Sequence, residues 1–236
     1  DTGGDSEAAM KLLQEKGLAA MAKRSDRDNN QGAVAISRNG NVAAMVELKC
    51  ETDFVAKSPD FVNLANDLAA LVVESGEDAL TERKTEIDAI GVTLKENIAL
   101  GRVVRFEATG VLDTYLHVQS DRGVNGVLVE LDGGDAELAH DVALTIAFNK
   151  PSFLTRDEVP PEVVTEQREI AEAKARNEGK PEAALPKIIE GMITGFFKQQ
   201  PGGVLLDQPF AKDDKKSVEA ALGGAKIVRF AQVVVG

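Results

Sequence analysis

Apolar residues at 33–36 and 42–48 form two short runs, separated by a polar turn at 38–41 that contains Asn39-Gly40. Asn-Gly between apolar runs is a strong short-range hairpin signal, so the pattern predicts two strongly apolar antiparallel strands. Residues 50–57, CETDFVAK, interrupt the pattern and read as irregular. Ser58 and Pro59 then supply a helix cap and a first-turn proline, and Phe61, Leu64, Ala65, Leu68, Leu71 and Val72 follow at helical spacing. That helix is expected to pack on the sheet. The acidic stretch 74–88 reads as another helix or a mobile surface segment, and 103–108 alternates like a returning strand.

The second half repeats the theme. Residues 112–119 and 126–131 read as strands around a turn at 120–123, followed by a helix over 137–148. Val46-Glu47-Leu48 recurs as Val129-Glu130-Leu131, each time ending an apolar strand before an acidic turn and a helix. The matching order of elements suggests an internal duplication. Pro160-Pro161 open a charged helix to about residue 178, Gly179-Lys180-Pro181 break it, and a second helix runs to about residue 198. Leu185, Ile189, Met192 and Phe196 are spaced as the seam of a two-helix coil, answered by Val163 and Ile170 on the first arm. Residues 226–235 alternate as a last strand, so the helical hairpin is inserted into the second half. Ahead of all this, Asp5 or Ser6 would cap a short helix to Lys16 with Met10 and Leu13 on one face and Gly17 as its stop. A helical stretch over 18–24 and a polar linker at 25–32 follow.

Composition narrows the function. With 28% charged and 43% hydrophobic residues the chain has the balance of a globular protein, and its 4% aromatic content makes each of nine Phe worth placing. A net charge of −12 opposes a broad phosphate contact, so direct nucleic-acid binding is not expected. No apolar run reaches the ~20 residues of a membrane span, and no signal-peptide pattern opens the chain, which points to the cytoplasm. The lone Cys50 excludes an internal disulfide and reads as a small buried hydrophobe rather than a nucleophile. His117 and His140 have no His or Cys at metal-ligand spacing. Neither GxSxG nor GxxxxGK[ST] occurs, and acidic pairs such as Glu130 with Asp132 or Asp213 with Asp214 read as solvated surface. No catalytic residue, metal or cofactor is expected.

What remains is the segment at 50–57. Phe54 follows two polar residues and precedes a capped helix start. From the residues alone it either packs beneath that helix, the preferred reading, or points outward beside Asp53, as an anchor for a partner's pocket would.

CETDFVAK followed by SPDF and an apolar helix resembles the signature of the bacterial elongation factor Ts family. The likeness extends to KGLAAMAK at 16–23, EGKPEAALPKIIEGMITGFFK at 178–198, LLDQPFAKDDKKSV at 205–218 and VRF at 228–230, which together span nearly the whole chain in the family's order. The resemblance implies an α+β fold of two related sheet-plus-helix halves with an inserted antiparallel coiled-coil hairpin. The parts would be a remnant of an N-terminal helical domain at 1–24, a first core half at 25–110, a second at 111–156 and 204–236, and the hairpin at 157–203. It implies a partner, GDP-bound or nucleotide-free elongation factor Tu, whose nucleotide release the protein promotes without chemistry of its own. A scaffold or chaperone-like stabiliser that binds a GTPase without exchange is the alternative, and the hairpin could serve self-association. In the family's pattern Asp53 and Phe54, flanked by Thr52 and Val55, enter the partner near its magnesium and phosphate site, which favours the outward Phe54. Arg24, Asn125 and Gly126 carry over as further partner contacts. Two departures stand out: the family's N-terminal TGAGMMDCK-like module does not precede Asp1, and SDRDNNQG replaces an alanine-rich stretch, with Asn125 where an apolar residue is usual.

Overall fold

Residues 31–50 fold as the hairpin that Asn39-Gly40 predicts. Strands β1 (Gln31–Asn39) and β2 (Val42–Cys50) pair antiparallel from Gln31↔Cys50 to Asn39↔Val42, with Gly40 at φ 60° in the turn. The computed structural model describes residues 26–235 together with Ala8, Lys11, Leu12, Gly17 and Arg24. The helices expected before residue 25 otherwise lie outside the described residues; Ala8, Lys11, Leu12 and Gly17 are helical.

Residues 33–36 of β1 and 42–46 of β2 are continuously apolar because both faces of their sheet are covered. Ala33, Ala35, Ala44, Val46, Leu48 and Cys50 join one core cluster with the helix that follows, while Val34, Ala43 and Met45 join another with Leu112, Leu128 and Val233. The helix α2 (Pro59–Ser75) buries Phe61, Leu64, Ala65, Leu68 and Val72 as its spacing predicts, and Gly76 at φ 83° ends it. The segment before it is not irregular. Asp53–Ala56 form a single helical turn, α1. The acidic stretch resolves into a 3-10 turn (Glu77–Arg83) and helix α3 (Lys84–Leu94), and β3 (Ala99–Glu107) returns beside β2.

The second sheet follows the same plan. Strand β4 (Val111–Gln119) turns at Ser120 and Asp121, both at positive φ, into β5 (Arg122–Asp132). Helix α4 (Ala136–Asn149) follows, capped by Asp135, whose Oδ1 accepts from the Leu138 amide at 2.9 Å. The strand orders are β1-β2-β3 and β4-β5-β8, with β8 at Lys226–Val234. Each is a hairpin whose third strand returns beside the second, the order the recurring Val-Glu-Leu triplet suggests. The two triplet acids also match in use: Glu47 accepts from the Arg102 amide of β3 at 2.8 Å, and Glu130 from Arg229 of β8 at 2.8 Å. The fold is α+β.

Helices α5 (Pro161–Asn177) and α6 (Leu185–Phe197) form the helical hairpin, joined by an Arg168–Glu190 ion pair. Its seam matches the predicted one in part: Leu185 is buried, and Ile189, Phe196 and Val163 pack against the hairpin's apolar cluster. The buried residues are Leu185, Ile193 and Phe197 on α6 and Ala171 and Ala175 on α5, whereas Met192 and Phe196 are half-buried and Ile170 is 51% exposed. Apolar residues stand at 185, 188, 189, 192, 193, 196 and 197, so two overlapping stripes compete, and Ile193 and Phe197 are buried in a cluster with Val159 and Val204 from outside the two helices. At the hairpin's base Arg156 lies over the Phe197 ring, 4.8 Å from its centre, and pairs with Asp207. A short hairpin of β6 (Pro209–Phe210) and β7 (Asp213–Ser217) and a helical turn, α7 (Val218–Ala221), complete the chain before β8.

The chain divides into two compact units, one of Asp1–Leu128 with Ala231–Gly236 and one of Val129–Phe230. Among the described residues no helix is long and apolar enough to cross a membrane.

Candidate functional site

The β1–β2 ladder stops at Gln31↔Cys50, and the chain leaves it through Glu51 and Thr52 into α1. Thr52 is extended (φ −121°, ψ 154°) and its Oγ1 accepts from the Val55 amide at 3.3 Å, the N-cap geometry expected of Thr before a helix. Ala56 is fully buried and Val55 packs against the same core cluster, so two consecutive residues seat the turn. With 3.6 residues per turn, that leaves Phe54 on the opposite side. Phe54 is 82% exposed, the most exposed large hydrophobic residue among those described. The outward reading holds and the packed one does not.

Ser58 occupies the cap position of α2, but its hydroxyl donates backward to the Val55 carbonyl at 2.8 Å instead of capping forward. The Ser58 amide donates to the same carbonyl at 2.9 Å, so Ser58 closes the end of α1 with both of its donors. Lys57 donates to Asp53 across one turn, and that hydrogen bond holds the Asp53 carboxyl below the usual carboxylate range. A half-buried anion and an exposed phenyl ring therefore stand side by side on a seated turn.

Two residues not singled out in the sequence hold the loop's base. Glu96, 9% exposed, accepts from the amides of Glu51 (3.0 Å) and Thr52 (3.1 Å) and from the Thr52 hydroxyl (2.5 Å). Arg122, also 9% exposed, donates to the Gly32 carbonyl at 2.6 Å and to Gln31 at 3.3 Å, bracing the strand end opposite Cys50. An acid in a helix-to-strand connector and a basic residue after a turn both read as surface in sequence, which is why neither stood out.

Cys50 is fully buried; burial first, and the nearby Glu96 charge second, push its thiol up to about 12. It is a core residue, not a nucleophile. A thiol reagent at pH 8 is expected to leave the native protein unlabelled and to modify Cys50 fully in denaturant, as followed by mass spectrometry.

A profile of the family described as "Elongation factor TS" matches residues 51–236, beginning at the loop just described. The chain belongs to the elongation factor Ts family. It is 44% identical over 253 aligned positions to elongation factor Ts of Arthrobacter sp. (strain FB24), covering 100% of this chain and 90% of that protein. It is 45% identical to the Renibacterium salmoninarum protein of the same name (99% and 88% covered) and 44% identical to that of Acidothermus cellulolyticus (99% and 88%).

The remaining positions carried over from the elongation factor Ts pattern lie elsewhere. Arg24 sits in a turn, its carbonyl accepting from the Arg27 amide at 2.9 Å. Asn125 is 8% exposed and its Oδ1 accepts from Gln232 of β8 at 2.9 Å. Gly126 is buried, and a Cβ there would stand 2.7 Å from both Met45 Sδ and Val34 Cγ1. Asn125 thus bonds to β8, and Gly126 serves the close approach of β5 to the first sheet. Gly126→Val is therefore expected to destabilise by about 1–3 kcal/mol through overpacking, read by urea denaturation. The exposed candidates are Thr52 and Phe54, with Asp53 and Val55 half-buried.

Proposed function

We propose that this protein is a guanine nucleotide exchange factor: it binds elongation factor Tu carrying GDP and speeds GDP release during translation elongation, in the cytoplasm. The observation that carries the reading is Phe54, 82% exposed at the tip of a turn otherwise fastened to the core. A ring of this size left in water forgoes about 1.5–3 kcal/mol of burial, which a partner's pocket can recover. Family membership supports this choice of partner, and in this reading the Thr52–Val55 loop is the part that enters it near the bound magnesium and phosphates.

The mechanism is linkage. The factor binds the nucleotide-free partner more tightly than the GDP form, so factor and nucleotide weaken each other's binding by the same factor. No bond is made or broken. Phe54 wedges apart side chains behind the magnesium site, and the Asp53 carboxylate competes for the hydrogen bonds that order the metal and phosphates; once magnesium coordination loosens, the diphosphate loses its main counter-charge. The test is release of a fluorescent GDP analogue from purified elongation factor Tu. The chain is expected to accelerate release strongly at catalytic amounts. Binding without acceleration would select the scaffold or chaperone-like stabiliser instead.

A further inference from the structure

We infer that Glu96 is a positioning residue for exchange: its carboxylate locks the Glu51-Thr52 dipeptide and thereby fixes the direction in which Phe54 is presented. The inference rests on the exchange reading above and adds a residue outside the loop. The need for such a lock follows from the backbone. The amides of Glu51 and Thr52 lie past the last ladder pair, Gln31↔Cys50, and before the first helical bond of α1, so neither sheet nor helix supplies them an acceptor. Glu96 meets both with one oxygen, Oε2, and takes the Thr52 hydroxyl on the other. A carboxylate only accepts, and three donors converge on this one.

The lock is reciprocal. Glu51 Oε1 accepts from the Asn97 amide at 2.7 Å, and the Asn97 side chain donates to the Arg27 carbonyl at 2.8 Å, so two adjacent acids exchange backbone amides between the two segments. Lys95, at φ 60°, turns the chain out of α3 immediately before Glu96. The Thr52 hydroxyl thus donates to Glu96 while its oxygen caps α1 through Val55. A four-residue helix cannot hold itself, since its few internal bonds do not offset the entropy of fixing it. Its orientation is set by Ala56 beneath and by Glu96 at its entry. An anchor held before contact loses less freedom on binding, so the lock acts on the presentation of Phe54.

Four chains test this: the wild type, Glu96→Ala, Phe54→Ala and the double variant, with Glu96→Gln as the conservative control. Glu96→Ala is expected to lower the maximal stimulated GDP release rate about tenfold, the kinetic equivalent of one charge-assisted hydrogen bond, with a smaller change in the half-saturating factor concentration. Glu96→Gln, whose amide oxygen can still receive the two backbone amides, recovers most of the rate. In the Phe54→Ala background the Glu96→Ala loss shrinks to about twofold or less, because there is no ring left to aim. A readout free of the partner accompanies these: Glu96→Ala speeds amide hydrogen exchange at residues 51–56 while the strand amides of 43–48 stay protected. Unchanged protection at 51–56, or a tenfold loss that persists without Phe54, overturns the positioning role. A Phe54→Ala chain with full exchange activity, alongside lost protection in Glu96→Ala, overturns the exchange reading of the loop and leaves the lock standing.

Discussion

Phe54→Ala is expected to cut stimulated GDP release by about 30-fold, the rate equivalent of the ~2 kcal/mol that an aromatic anchor typically supplies, while moving folding stability by no more than about 0.5 kcal/mol. Both halves follow from one geometry. The ring is 82% exposed and its removal opens no cavity, so the fold has little to lose. Its neighbours are placed independently of it: Ala56 and Val55 by the core, Thr52 by its cap and by Glu96. What disappears is only the part that a partner would bury. The measurement is a pair, release of a fluorescent GDP analogue and a urea midpoint on the same preparation. A large loss of stability with unchanged exchange would return the ring to a structural role.

That outcome separates two readings the sequence leaves open. Around Phe54 there is no periodic pattern to decide its direction, because α1 is a single turn and its two inward residues, Val55 and Ala56, are adjacent. Longer elements declare themselves. Helix α2 repeats its apolar residues over four turns after Ser58-Pro59, and the β1–β2 hairpin is marked by Asn39-Gly40, so both stand where the pattern puts them. The resemblance through CETDFVAK supplies the outward direction that periodicity lacks.

The hairpin shows a different limit. Helix α6 is apolar at both of two neighbouring stripes, and its buried aromatic, Phe197 rather than Phe196, shares a cluster with Val159 and Val204 from outside both helices, a tertiary fact invisible in either segment alone. Glu96 and Arg122 are legible in neither way. Each is a charged residue in or beside a connector, where solvent exposure is the ordinary expectation, and each is instead drawn inward by backbone groups: Glu96 by the Glu51 and Thr52 amides just past β2, Arg122 by the Gly32 carbonyl of β1. The Asn125–Gly126 pair is a further case: a polar residue and a glycine at the start of an apolar strand look available to a partner, yet the tight approach of Met45 and Val34 uses the missing side chain of Gly126 within this chain.

Phe61→Ala is expected to show the opposite phenotype, a loss of about 3–5 kcal/mol in stability with a smaller effect on exchange per folded molecule than Phe54→Ala. Phe61 lies seven positions after Phe54, and both stand near a helix start. Phe61 is in the first turn of α2, fully buried, and belongs to the cluster that includes Val46, Leu48, Cys50 and Ala56. Truncation there forfeits the transfer energy of a ring and leaves a cavity in a cluster that includes β2, the central strand paired on both sides, which collapses poorly into the space. Against a typical total of about 5–15 kcal/mol, the loss is a large fraction of what holds the first unit together. The urea midpoint should fall accordingly, and Phe61→Leu, which refills most of the volume, should recover more than half of the loss. Exchange assayed at low temperature, where the variant remains folded, should stay within about fivefold of the wild type because Phe54 is still presented. If Phe61→Ala instead matched Phe54→Ala in exchange while keeping full stability, the assignment of one ring to the core and the other to the partner would be reversed.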